Sequence, residues 1–191
     1  MKSIEHIALR ASALAAMGLL AGAAQAATWV DLGPASGFLI GSSSITYTPS
    51  PAVQVKYYND NITPQSPANI RSVVNAQFGL SGLNAVGAAV SACDNPASGC
   101  TAGTSGSVSG GVNSYTSAAA YDYLAIHFGK GELLFHWAAP VAAGTTFTIA
   151  GLPKDLSNYR AFISPVPEPE TYAMLLAGLG MLGWLARRRQ S

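Results

Sequence analysis

Hydrophobic and polar positions alternate most cleanly from Tyr121 to Trp137, YDYLAIHFGKGELLFHW. Leu124, Ile126 and Phe128 occupy every second position, and Leu133, Phe135 and Trp137 repeat the pattern after the glycines. A period of two is the signature of a strand with one buried face. A two-residue turn at Gly129-Lys130 or Lys130-Gly131 pairs even positions with odd ones, so all six large side chains share a face; a three-residue turn would divide them. Burying each is worth roughly 1.5–3 kcal/mol, which makes this hairpin the predicted centre of the core.

Further strands are predicted where the same alternation recurs between proline and glycine breaks. Thr145 to Ile149 directs Phe147 and Ile149 inward and Thr146 and Thr148 outward, and Asn158 to Ile163 forms a last strand. Upstream, Ala52 to Tyr58 sets Val53, Val55 and Tyr57 against Gln54, Lys56 and Tyr58; shorter candidates are Thr28 to Leu32, Gly37 to Ile40 and Ser44 to Thr48. One segment has helical spacing. Ile70, Val73, Val74 and Phe78 form a stripe, Ser66 can cap it, Pro67 suits the first turn and Gly79 the end. The expected fold is therefore mainly β: an antiparallel β-sandwich, jelly-roll-like, with one short α-helix covering an edge or end. The Gly/Ser/Thr tract from Ala97 to Ser117 reads as a long surface loop with at most a weak strand.

The two ends have a different character, and the chain divides into residues 1–26, 27–165 and 166–191. Lys2 and Arg10 flank a short polar start, followed by the small and apolar run ASALAAMGLLAGAA and then Ala24-Gln25-Ala26. That order predicts a signal-peptide helix cleaved after Ala26. The run is too short to span a bilayer, which takes roughly 20 residues. At the other end TYAMLLAGLGMLGWLA, residues 171–186, carries no charge and is followed by Arg187, Arg188 and Arg189. Its 16 residues make a helix of about 24 Å. A transmembrane helix is expected there, a few ångströms short of a mean hydrocarbon core, with the three arginines as a cytoplasmic stop. Gly178, Gly180 and Gly183 are tolerated in such a segment.

Val166-Pro167-Glu168-Pro169-Glu170 stands immediately before that segment. Two prolines impose an extended, exposed stretch that a processing enzyme can hold. The Pro-Glu-Pro triplet, the short apolar helix, the terminal arginines and the signal peptide together closely resemble the PEP-CTERM sorting signal of Gram-negative bacteria, over about Val166 to Gln190. The resemblance implies recognition of Pro167, Glu168 and Pro169 by exosortase, a membrane-embedded transpeptidase-like enzyme, and an association with exopolysaccharide and biofilm matrix. It implies export, inner-membrane anchoring through the tail before processing, and then the cell surface or extracellular matrix. The middle of the chain also looks like PEP-CTERM domains of unknown role: a proline-started helix ending in Phe-Gly-Leu, a Tyr-Leu-Ala-Ile-His hairpin, then Asn-Tyr-Arg-Ala. That likeness implies architecture and no activity.

Charge narrows the function classes. Between Ala27 and Pro165 five cations face six anions, a balance of −1. No basic cluster exists to neutralise phosphates, so a nucleic-acid partner is not expected. Cys93 and Cys100 are the chain's two cysteines, close together in a protein expected to be exported, and a disulfide is the natural reading; free thiols or a metal pair are the rivals.

Catalytic signals are sparse. The exported part holds two histidines, His127 and His136, which the hairpin register places on the face opposite the apolar one, on neighbouring strands and diagonal, roughly 7 Å apart at Cα. Glu132 and Asp122 are the nearby acids. No Gly-x-Ser-x-Gly elbow, His-Glu-x-x-His or phosphate loop occurs, no carboxylate pair suits a glycosidase, and neither a cofactor nor a metal is implied. Tyrosines suit sugar binding, a ring face packing on sugar C–H groups. Tyr121, Tyr123, His127 and His136 are the candidate ligand-binding residues. The expected function is a non-enzymatic surface or matrix component, structural or carbohydrate-binding, with exosortase, the membrane and exopolysaccharide as partners. The alternative is a secreted hydrolase acting on matrix polysaccharide, which needs His127 or His136 at hydrogen-bond distance from an acid.

Overall fold

A computed structural model describes residues 27–34, 36–96, 99–109, 111–165 and 169–188. The expected signal peptide, together with Pro167, Glu168 and Arg189, lies outside the described residues. In chain order the elements are β1 (Trp29–Asp31), β2 (Gly37–Ile40), β3 (Ser43–Thr48), β4 (Gln54–Tyr58), α1 (Pro67–Phe78), β5 (Ser91–Cys93), β6 (Ser105–Ser109), β7 (Val112–Thr116), β8 (Tyr121–Phe128), β9 (Gly131–Val141), β10 (Thr146–Ala150), β11 (Leu156–Phe162) and α2 (Pro169–Arg188). A six-stranded sheet runs β1-β4-β9-β8-β11-β5 and a five-stranded sheet runs β2-β3-β10-β7-β6, antiparallel throughout.

The β8–β9 hairpin turns at Gly129-Lys130, with Phe128 opposite Gly131 and Leu124 opposite Phe135. That is the tight-turn register, and Gly129 supplies the left-handed φ of +54° it requires. Leu124, Ile126, Phe128, Leu133, Phe135 and Trp137 all enter one core cluster, which the second sheet closes with Ile45, Tyr47, Tyr115, Phe147 and Ile149. Rings interlock across the gap: Tyr47 and Phe147 pack edge-on to Phe135 at 4.9 and 5.3 Å, and Tyr115 stacks on Tyr159 at 4.6 Å. Two of the polar tips buried with the rings find partners, while the Tyr121 and Tyr159 hydroxyls have none among the described residues. Trp137 Nε1 donates to Pro49 O (2.9 Å), and the Tyr115 hydroxyl donates to Ser91 Oγ (2.7 Å).

Helix α1 has the expected ends. Ser66 Oγ accepts from Asn69 N, Pro67 opens the helix, and Gly79 closes it at a φ of +67°. Its location differs from the expected edge or end. Ile70 and Val74 pack with Val86 on Tyr123, Ala125, Leu134 and Phe162, which lie on the outer face of the six-stranded sheet. The cause is in the hairpin itself: the positions between its large core residues include Tyr123, Ala125 and Leu134, so the second face is also apolar and must be covered. Every residue of β8 is buried as a result.

The Gly/Ser/Thr tract is a second correction, because β6 and β7 pair within it as a hairpin and Tyr115 is fully buried. Alternation is present there, but serine and glycine conceal it from a hydrophobicity reading. Its outward positions join those of β3 and β10 in a hydroxyl-bearing surface: Ser44, Thr46 and Thr48 on β3, Thr146 and Thr148 on β10, Ser114 and Thr116 on β7, and Ser105, Ser107 and Ser109 on β6.

The tail run is helical from Pro169 to Arg188, and Met174, Leu175, Leu176, Leu179, Met181 and Leu182 are exposed. Among the described residues no helix is long and apolar enough to cross a membrane, which corrects the expected transmembrane helix. The uncharged run has 16 residues, about 24 Å against a core of about 30 Å, and glycines dilute its apolar character.

Candidate functional site

The pairing register of the six-stranded sheet brings five chemically distinct side chains into one row across its outer face. Trp29 on β1 stands opposite Tyr58 on β4, Tyr58 opposite Glu132 on β9, Glu132 opposite His127 on β8, and His127 opposite Asn158 on β11. Directly opposed residues in an antiparallel ladder point to the same side and interact. The row is aromatic at its edge, where Trp29 and Tyr58 stack with centroids 5.1 Å apart, and polar at its centre.

Glu132 is fully buried and His127 nearly so. His127 Nδ1 lies 3.1 Å from Glu132 Oε2. Gln65, on the segment leading into α1, roofs the pair: its Nε2 donates to Ile62 O (3.0 Å) and to Glu132 Oε2 (3.1 Å), and sits 3.2 Å from His127 Nδ1. These two oxygens are the nearer acceptors for the two Gln65 amide hydrogens, Asn61 Oδ1 lying farther off at 3.5 Å. The imidazole hydrogen is therefore assigned to Nδ1, donating to the carboxylate. Asn158 Nδ2 donates to Gln65 Oε1 (3.5 Å). Arg160, buried beside it on β11, donates to Gln65 O (3.4 Å), Tyr159 O (2.8 Å) and Cys93 O (3.4 Å), and pairs with Asp94. The Cys93–Cys100 disulfide closes the short segment that carries Asp94.

Burial pushes the Glu132 carboxyl above its ordinary value, opposed by the hydrogen bonds from His127 and Gln65 and by the charges of His127 and Arg160. Oε1 of Glu132 and Oδ1 of Asn158 have no hydrogen-bond partner among the described residues. A carboxylate behind Nδ1 fixes an imidazole's tautomer and direction, as in acid–base dyads. Here, among the described residues, the ring meets Gln65 and Glu132 and no hydroxyl or thiol, and its side chain is 10% exposed. The arrangement clasps the segment before α1 to the sheet. No group of three or more His, Cys, Asp or Glu able to hold a metal occurs among the described residues.

The other sequence candidates separate from this row. His136 stands opposite Tyr123, four registers from His127. That is about 13 Å along the strand, and it corrects the expected diagonal contact. The His136 ring lies flat on Tyr123 (4.3 Å, interplanar angle 2°) with Phe78 5.6 Å away. Burial holds its pKa below the usual histidine value, with Asp122 acting in the opposite sense. Tyr121 and Tyr123 are 0% and 4% exposed, so neither offers a ring face to a sugar. Tyr121 turns into the core edge-on to Trp137, and burial raises its hydroxyl pKa. These tyrosines are buried because both faces of β8 are covered. Asp122 accepts from Ser164 N (2.8 Å) and does not join the histidines.

Gln65, Asn158, Arg160 and the Trp29–Tyr58 pair were not legible as site residues. Gln65 comes from a loop, and the rest are aligned by register over three or more strands. The one available signal was Glu132, an acid at an alternating position inside a hydrophobic strand.

Residues 165–190 match the family model of the PEP-CTERM protein-sorting motif. No curated protein and no solved structure matches the chain.

Proposed function

We propose that this PEP-CTERM protein, exported and sorted by exosortase through its tail, is a non-enzymatic component of the cell surface or extracellular matrix that binds exopolysaccharide. The tail at 165–190 carries the reading, because its match is to a protein-sorting motif; the two-sheet part, taken as an exported jelly-roll-like sandwich over 27–165, is in this reading delivered to the surface, and contact with polymers there is the proposal. In this reading residues 1–26 are removed on export. The short tail helix holds the protein at the inner membrane until processing, and the protein then leaves for the surface.

The non-enzymatic part of the proposal is supported by the burial of the His127–Glu132 pair under Gln65, with no hydroxyl or thiol hydrogen-bonded to the ring among the described residues. That same 3.1 Å contact is the observation favouring the second reading, a secreted polysaccharide hydrolase. One experiment separates them. Exported protein is incubated with the producing cell's exopolysaccharide, and retention and newly formed reducing ends are measured together. Retention without new reducing ends is the expected result. Reducing ends that disappear in His127→Gln establish the hydrolase, and absence of retention overturns carbohydrate binding.

A further inference from the structure

The two outer faces of this fold are unlike. Helix α1 covers the face of the six-stranded sheet, whereas the outward residues of the five-stranded sheet are exposed or half-buried. None of its strands, β2, β3, β6, β7 or β10, contains an acid, a base or a histidine.

The hydroxyls on this face are in register. Thr48 stands opposite Thr148, Thr148 opposite Ser114, and Ser114 opposite Ser107, giving a row across four strands. With strands about 4.8 Å apart the row is about 14 Å long. Thr48 and Thr148 share a hydrogen bond of 2.7 Å, as do Ser107 and Ser114, and Thr116 and Thr146 share one of 2.8 Å. These bonds fix the rotors. Each pair uses one O–H internally and leaves one O–H and several lone pairs directed outward. The face therefore donates and accepts hydrogen bonds at regular intervals, with threonine methyls between and the exposed side chains of Leu39 and Val112 on the same side, opposite Ser44 and Ser109.

We propose that this face is where the protein contacts polysaccharide, and that the polymer it takes is neutral. The inference rests on the carbohydrate-binding reading above and adds its location and the ligand's charge. An acidic polymer finds no cation on these strands and a basic one no carboxylate. A neutral sugar chain matches the surface: its hydroxyls exchange hydrogen bonds with the rows, and its C–H faces lie on the methyls. Many weak contacts along rows that cross four strands suit a long polymer, for which linked repeats raise the effective concentration.

The test uses the full exported protein, with amorphous cellulose and dextran as neutral probes and alginate as an acidic one, at low salt and at about 1 M salt, where screening reaches ~3 Å. Two variants accompany it, Thr48→Val with Thr148→Val, and Ser107→Ala with Ser114→Ala, each checked for folding by circular dichroism. The expected result is retention on a neutral probe, insensitive to salt and weakened about tenfold in either variant, corresponding to one or two lost hydrogen bonds. Variants that bind as the parent does, or binding to alginate alone that salt abolishes, overturn the assignment of this face while leaving carbohydrate binding intact. A parent protein that binds none of the probes and none of the native exopolysaccharide overturns both.

Discussion

His127 and Glu132 oppose each other across the β8–β9 ladder, Nδ1 3.1 Å from Oε2, with the carboxyl fully buried. A histidine and a glutamate five residues apart meet here because the two-residue turn at Gly129-Lys130 sets their register. Burial raises the pKa of Glu132, and this gives the fold a pH dependence of definite sign. A raised folded-state value means that the native protein holds the proton more tightly than the unfolded chain. The contribution of Glu132 to stability is thus complete below its unfolded value of 4.5 and is lost as pH rises through the folded value. His127 and Gln65 face the carboxyl directly, and Arg160 and Asp94 are the charged groups behind them. Glu132→Gln keeps the shape without the ionisation. Its thermal midpoint is expected to gain on the parent as pH rises above 4.5 and then to level off; a gap that stays constant with pH would contradict this account of the carboxyl.

His136 gives a dependence of the opposite sign. Its pKa is depressed from 6.5, chiefly because the ring is buried flat on Tyr123. The neutral ring is favoured in the native state, so its contribution is present above 6.5 and is lost as pH falls through the folded value. His136→Phe preserves the stack and removes the titration. Melting curves taken between about pH 7.5 and 5 should show a shallower acid limb in this variant than in the parent. An unchanged limb would assign the acid sensitivity elsewhere.

These two residues also mark how far the sequence could be read. The tight turn, the six core residues of the hairpin, the caps of α1 and the strand pattern of Phe147 and Ile149 follow from local periodicity and turn chemistry, and the structure contains them. What depended on pairing between distant strands was not legible. Tyr123 and His136 occupy alternate positions that suit a solvent face, and the docking of α1, which lies well upstream in the chain, buries Tyr123 and half-buries His136. Likewise the β6–β7 hairpin has its alternation written in serine, threonine and glycine, which carry little hydrophobic contrast, with Tyr115 as its single strong inward residue.

Gly151 is a position where no other residue should serve. Its φ is +83°, and an added Cβ would stand 2.0 Å from the Ser44 carbonyl oxygen, a backbone atom that cannot swing away. Left-handed strain alone costs about 1–3 kcal/mol in a residue with a side chain, and the clash adds to it. Gly151→Ala should therefore lose several kcal/mol by urea unfolding, near the total stability of a small domain. At Gly144, whose φ is +78° with nothing within 4 Å of an added Cβ, alanine should cost only the strain. Equal losses at the two positions would show that the approach of Ser44 is not limiting.

The Cys93–Cys100 bond contributes through the unfolded chain. Closing a loop of about 8 residues removes roughly 2.5 kcal/mol of chain entropy from the unfolded ensemble. Cys93→Ala with Cys100→Ala avoids stray thiols and should lower unfolding free energy by about that amount or less. The loss should fall mainly on β5 and on the Asp94–Arg160 pair, since Asp94 follows Cys93 directly and Cys93 O accepts from Arg160. Amide exchange localised to residues 91–104 would support this, while uniform acceleration across both sheets would not.

The sorting motif ends where a helix begins. Pro169 is the first residue of α2, a position that favours proline because no helical partner exists for its missing N–H. Proline also disfavours helical backbone in the residue before it. Replacing Pro167, Glu168 and Pro169 together by alanine removes that barrier, and the helix can run through the stretch an enzyme must hold extended. Substitution of Arg187, Arg188 and Arg189 by glutamine leaves the motif and alters the basic end instead. The triple-alanine chain is expected to accumulate uncut in the membrane fraction, and the triple-glutamine chain to be held at the membrane less well; both should reach the surface less than the parent by immunoblot of fractionated cells. Pro169→Ala alone should reproduce part of the first defect if helix extension is its cause. Full surface delivery of the triple-alanine chain would mean that the apolar helix and arginines suffice and that the triplet is not what the processing enzyme reads.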